Sequence, residues 1–404
     1  MSPRPATPPT VRARSRVPAA LALAAAVTVA LPAAACAQSS IPGSSSGSLG
    51  SAAPLPPGPE VTTERVLGGL SIPWDVVRDP TGVVVTGERG SGTIHAVRPD
   101  GRDSVVAADL GPLVTRGESG LMGIALAADF ATSREVYTCH SHAGPGRAAE
   151  DNRVTAWRAA EDWSRLESPR VIVDGILMGD VGRHSGCRIL AHPDGTLYIG
   201  TGDAFTGPAP QDLGSLSGKV LHVTRTGEPA ADTIGGSRVL NYGHRNVQGL
   251  ALQPRTGRIL SAEHGPDNDD EINLVVPGGN YGWDPNDTGR YDQSVPMTDL
   301  RKFPDAVPAV WSSGAPTLAP SGIAFLDDPA WGEWNGALAV AMLKTQKIVL
   351  MRLSDDARSV TDTAVILEGA HGRLRSITAE PGGSLLVTTS NGNGRDEVLR
   401  VRPA

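Results

Sequence analysis

A single strand-turn-strand unit recurs six times along this chain, and that recurrence limits what the chain can become. Each copy is a short apolar run, an Asp/Pro/Gly turn, a second apolar run, and then a polar or glycine-rich end. The turns are Asp79-Pro80-Thr81-Gly82, Ala128-Asp129-Phe130, His192-Pro193-Asp194-Gly195, Pro254–Gly257, Asp327–Trp334 and Pro381-Gly382-Gly383. Gly and Pro at these places punctuate β-strands. No long stretch carries the apolar period of an amphipathic helix. Self-similarity at a long period, with strands only, predicts an all-β, six-bladed β-propeller with four-stranded antiparallel blades. Paired β-sandwiches would also give regular hairpins. Aromatic residues are only 4% of the chain, so the core must be built from Val, Leu, Ile and Ala.

The globular part begins late. Residues 1–36 read as an export signal: basic Arg4, Arg12, Arg14 and Arg16, the apolar run Val17–Ala35, then Cys36. Cys36 is a candidate lipoprotein cysteine, and a cut after Ala37 is the competing reading. Residues 37–60 form a Ser/Gly/Pro-rich linker, and 61–404 the propeller. The expected location is therefore the cell envelope or beyond, with membrane contact only through a lipid at Cys36. A net charge of −7 argues against nucleic acid as a partner. Cys139 and Cys187 permit one disulfide, but spacing alone does not show that they meet.

The third hairpin carries the chemistry. In His184 to Asp203, a turn centred between Pro193 and Asp194 sets His184 opposite Asp203 at the open end. Cross-strand partners have Cβ atoms about 5 Å apart, close enough for an imidazole–carboxylate hydrogen bond. Such a pair prepares a general base, although it also serves as a local structural contact. The mouths of the other hairpins are polar too. Glu118 precedes the second; Arg245 and Asn246 precede the fourth; Lys344, Arg373 and Arg375 lie at the fifth and sixth. In an acidic chain, cations converging on one mouth suggest a multiply anionic ligand. The stretch Glu263 to Asn273 is acidic and contains Gly265-Pro266, a loop that exposes carbonyl oxygens. It reads either as a hard-cation site or as an acidic loop without metal.

At these residues the chain resembles the soluble PQQ-dependent aldose sugar dehydrogenases of the glucose/sorbosone dehydrogenase family. The matching stretches are Glu118–Gly123, His184–Asp203, Gly243–Gly249, Gly265-Pro266 with Asp269–Asn273, Gly279–Trp283, Lys344 and Arg373–Arg375. The resemblance implies a six-bladed propeller that uses pyrroloquinoline quinone (PQQ) and Ca²⁺, oxidises an aldose sugar to a lactone, and passes electrons to an external acceptor. It implies His184 as the base, Asp203 as the carboxylate orienting it, and Arg245 beside the developing charge on the quinone. Glu118, Arg245, Asn246, Lys344, Arg373 and Arg375 would contact the cofactor, and the carbonyls of Gly265 and Pro266 would hold Ca²⁺. Four places depart from the family pattern: Arg183 in place of Asp or Asn, Glu118 in place of Gln, Cys187 in place of a small residue, and Ala315–Pro320 without a tryptophan. The open mouth this implies points to broad aldose specificity. The competing classes are a propeller lactonase using Asp203, Glu118 and Glu263 on a metal, and a propeller that only binds a partner.

Overall fold

Twenty-four of the strands pair into six antiparallel sheets of four, and a short hairpin stands apart. The computed structural model describes residues 55–144 and 150–404; the export signal, Cys36 and most of the linker lie outside the described residues. The innermost strands are Pro73–Arg78, Leu121–Leu126, Gly186–Ala191, Val247–Leu252, Pro320–Phe325 and Leu374–Ala379. Each touches the next, and the last touches the first, so the blades form a closed ring. This is the six-bladed β-propeller that the hairpin count predicts. The sixth blade is completed from the other end of the chain: Val61–Leu70 pairs antiparallel with Asp396–Pro403. That pairing fastens the ring by joining the first and last strands in one blade. Just before it, Pro57 bridges to Val365 of the fifth blade.

The core lies between blades. One cluster joins Val85, Ile94 and Ala96 of the first blade to Leu121, Ile124, Val136 and Trp157 of the second. Another joins Ala339, Ile348 and Leu350 of the fifth to Ile377, Leu385, Val387 and Leu399 of the sixth. Burying a Val, Leu or Ile side chain contributes about 1.5–3 kcal/mol, and these aliphatics surround the few aromatics, of which Trp74, Trp157, Trp163 and Trp331 are buried. Around the channel the inner strands approach closely. A Cβ on Gly123 would lie 2.3 Å from the Cys187 carbonyl oxygen, and one on Gly249 would lie 2.2 Å from that of Ser321.

Every inner strand carries a register shift near its start. In the third blade this corrects the sequence expectation. The turn is centred on Asp194 rather than between Pro193 and Asp194, since Ile189 pairs with Ile199 and Leu190 with Tyr198. A one-residue slip would have moved His184 off Asp203. The bulge between Gly186 and Arg188 absorbs it, and Gly186 pairs with Thr201.

Candidate active site

Three residues at this bulge take left-handed backbone: His184 (φ 54°), Gly186 (φ 60°) and Cys187 (φ 71°). Only glycine fits the middle position, where a Cβ would lie 2.5 Å from the Gly202 nitrogen. Strain of this kind persists where the surroundings over-determine it. Here each residue has its own clamp. The Glu118 carboxylate accepts from His184 N at 3.1 Å. The Asn246 side-chain oxygen accepts from Gly186 N at 3.0 Å. A disulfide ties Cys187 to Cys139 in the second blade, with Cα atoms 5.5 Å apart. The pairing that spacing left open is therefore made, and it spans two blades directly behind His184.

His184 and Asp203 meet: Nδ1 lies 2.8 Å from Oδ1, with both side chains buried. A carboxylate only accepts, so the proton sits on Nδ1 and leaves the Nε2 lone pair open. Asp203 also accepts from Phe205 N at 2.8 Å, Trp283 Nε1 at 2.8 Å and the Tyr291 hydroxyl at 2.6 Å. Tyr291 OH is 3.2 Å from His184 Nδ1 as well, and its ring stacks on Phe205 at 4.0 Å. Burial first, then the charge of Asp203 and the hydrogen bond to it, raise the Tyr291 hydroxyl far above its ordinary range and keep it a donor. The sequence did not point to Tyr291. It lies on a small hairpin, Asn286–Asp287 with Arg290–Tyr291, inserted within the fourth blade. Phe205 lies in a loop that Lys219 anchors from beneath, donating to the carbonyls of Ala209 (2.6 Å), Pro210 (3.0 Å) and Ser217 (2.8 Å). Burial pulls the Lys219 amine down to about 7.

The cations arrive from the other blades. Arg245 is buried. It donates from Nη1 to the His264 carbonyl and from Nη2 to Gln293, each at 2.9 Å, while its Nε has no partner. Arg375 is buried too, bonded to Ser390 and Gln248. Burial and then neighbouring Arg89 bring Arg375 down to about 9, and Glu118, Arg373 and Arg188 act on it as well. Arg373 and Lys344 are exposed, and Lys344 reaches Thr317 at 2.9 Å. Burial works against ionising Glu118, but His184, His264, Asn246 and Arg375 outweigh it and hold the carboxyl below its ordinary range. Glu118 is a clamp on the backbone of His184, and it also accepts from Asn246 at 3.2 Å. The Asn246 amide thus lies between the third blade and Glu118, accepting from Gly186 N and donating to Glu118.

The acidic stretch divides by role. Glu263 accepts from His244 Nδ1 and Arg245 N, each at 2.8 Å. Asp270 accepts from Gly265 N at 2.9 Å and from Leu318 and Ala319. Among the described residues no three His, Cys, Asp or Glu side chains are grouped to hold a metal. Glu118, Asp203 and Glu263 are each taken up by protein donors, which leaves the lactonase reading without a carboxylate metal site. The Gly265 and Pro266 carbonyls accept no hydrogen bond from the described residues. Glu271 shares Asn273 with Glu263, and burial together with that neighbour raises its carboxyl to about 8. A raised folded value means stability present below the ordinary 4.5 and lost as pH rises through about 8. The melting temperature is expected to fall across that window, and Glu271→Gln to flatten the fall. An equal slope in both proteins would refute the assignment.

Residues 70–400 match the Glucose / Sorbosone dehydrogenase family. The aldose sugar dehydrogenase YliI of Escherichia coli (strain K12) is 31% identical over 303 residues, 71% of this chain and 78% of that protein. The PQQ-bound aldose sugar dehydrogenase of Streptomyces coelicolor superposes with a TM-score of 0.70 at 30% identity, covering 86% of this chain and 99% of the other. The soluble aldose sugar dehydrogenase of Escherichia coli, in its apo form, gives a TM-score of 0.76 at 27% identity, covering 85% and 100%. A ring of six blades, a buried His–Asp pair at one mouth and this match over nearly all of the described residues agree: the chain belongs to the glucose/sorbosone dehydrogenase family.

Proposed function

We propose that this protein is an exported, PQQ- and Ca²⁺-dependent dehydrogenase that oxidises the C1 hydroxyl of aldoses to lactones and delivers the electrons to an external acceptor. The observation that carries this reading is the His184–Asp203 pair at 2.8 Å, with Nε2 open and unpaired cations around it. Those cations fit a tricarboxylate. Arg245 Nε and His264 Nε2 are buried without a partner. Arg245, Asn246, Lys344, Arg373 and Arg375 would hold the cofactor, and the Gly265 and Pro266 carbonyls would supply oxygen ligands to Ca²⁺. When bound, PQQ is the hydride acceptor, with Ca²⁺ polarising its quinone. His184 Nε2 takes the C1 hydroxyl proton. Asp203 holds the ring in the required tautomer and stabilises its protonated form. Arg245 places a fixed positive charge where negative charge develops.

Adding PQQ with Ca²⁺ to the purified protein tests the reading. Dye reduction with aldoses is expected, together with a rise in melting temperature. A ligand at 100 times its Kd stabilises by about 2.7 kcal/mol. Lactone hydrolysis without PQQ, or no thermal shift, would overturn it.

A further inference from the structure

Arg183 directly precedes the base in sequence and is exposed. Some exposed arginines here find a carboxylate among the described residues, as Arg65 does with Glu397, Arg102 with Asp100 and Arg402 with Glu64, and others, such as Arg158, Arg290 and Arg301, do not. Arg183 forms no ion pair with a described residue, in a chain where Asp and Glu outnumber Lys and Arg by 43 to 36. Its guanidinium instead lies 5.7 Å from the centre of the Phe205 ring. The same ring meets the His184 imidazole edge-on at 5.3 Å. A half-buried aromatic ring, stacked on Tyr291 at 4.0 Å, thus touches both the base and an unneutralised fork of donors.

The Arg183 guanidinium and the His184 imidazole lie 5.7 Å and 5.3 Å from the same ring centre, so one sugar with an anionic arm can meet both. Aromatic rings pack against the C–H face of a sugar, and guanidinium matches carboxylate or phosphate geometry in a bidentate way. Lys344, Arg373 and Arg375 come from other blades and are taken up by the proposed cofactor; Arg183 is left over on the base's side.

The geometry points to Arg183 as the specificity residue for anionic aldoses, sugars carrying a carboxylate or phosphate at the end remote from C1. This rests on the reading of His184 as the base. The chemistry at C1 is unchanged. With PQQ bound, it would accept the C1–H electron pair as hydride while His184 takes the hydroxyl proton, leaving C1 as the lactone carbonyl. The anionic group stays intact and only anchors the ring.

The test compares kcat/KM for glucuronate, glucose 6-phosphate and glucose in the PQQ- and Ca²⁺-loaded protein. At least one anion is expected to exceed glucose by about tenfold, as one charge-assisted contact on a half-open surface allows. Whether the carboxylate or the phosphate leads identifies the source. Arg183→Gln should bring that ratio to near one, and added salt should lower it in the wild type. Arg65→Gln, on the outermost strand of the sixth blade, controls for net charge and should leave the ratio alone. Glucose matching or exceeding both anions, or a ratio unchanged in Arg183→Gln, overturns the inference. Calorimetry with methyl glucuronide, which has no free C1 hydroxyl to oxidise, reads binding apart from turnover. It should bind wild type more tightly than Arg183→Gln, and equal binding overturns the inference even if no aldose is oxidised. Loss of turnover on every aldose in the wild type would count against the dehydrogenase reading instead.

Discussion

His184→Ala is expected to lower kcat for aldose oxidation by about 10²–10⁴-fold, the range that a positioned general base contributes. The imidazole is held at its Nδ1 face by Asp203 at 2.8 Å, so only Nε2 can take a proton from substrate. No other described residue at the mouth is placed to substitute for it. Glu118 faces the His184 backbone, His264 is buried without a partner on Nε2, and Tyr291 is held as a donor by Asp203. The same variant should keep most of its PQQ affinity, because the groups assigned to hold the cofactor come from other blades. Asp203→Asn is the companion measurement. An amide in that place can donate to Nδ1 and so favours the other tautomer, with its proton on Nε2; kcat should fall while KM moves little. Stopped-flow dye reduction and PQQ titration by tryptophan quenching read the two quantities separately. Full turnover in His184→Ala would remove the assigned base, and loss of PQQ binding alone would recast His184 as a cofactor ligand.

Hairpins were legible because the turns announce them: Asp79-Pro80-Thr81-Gly82 and His192-Pro193-Asp194-Gly195 are local chemistry, independent of the rest of the chain. The facing of His184 and Asp203 was legible too, although the turn sits half a residue from where the sequence placed it. The compensating bulge was not readable, because the ring imposes it. Each inner strand must enter the channel past its neighbour, and the register shift recurs in all six blades without a shared residue at the bulge. Glu118 shows the other kind of limit. Its acidity looked unfavourable beside an anionic cofactor because a sequence gives residue types and not backbone N–H directions. Tyr291 and Phe205 were missed for a third reason. They reach the base from an insertion in the fourth blade and a long loop in the third, where no periodicity constrains the side chains. Their signal, an aromatic in a polar loop, is too common to single out.

Removing the disulfide by Cys139→Ser with Cys187→Ser is expected to destabilise the fold by about 2–4 kcal/mol, as cross-links closing loops of this order do. The residues are 48 apart in sequence, and both are buried. A purely structural bond would stop there. This one also holds Cys187 in left-handed backbone three residues from the base, beside Gly186 and His184 in the same region. Without it the bulge keeps only the Glu118 and Asn246 clamps, at 3.1 Å and 3.0 Å. A relaxed bulge shifts His184 relative to Asp203, and a misplacement of about 1 Å can cost 10²-fold in rate. The double variant, assayed well below its melting temperature, should therefore lose kcat while its far-ultraviolet circular dichroism and PQQ affinity stay near wild type. Adding Glu118→Gln to it tests the shared task. The amide keeps an acceptor for His184 N but loses the charge, so the further loss of kcat should be smaller than that from Glu118→Ala. Unchanged kcat per PQQ-loaded protein in the Cys139→Ser, Cys187→Ser variant would confine the bond to stability and show that the other two clamps suffice to aim the base.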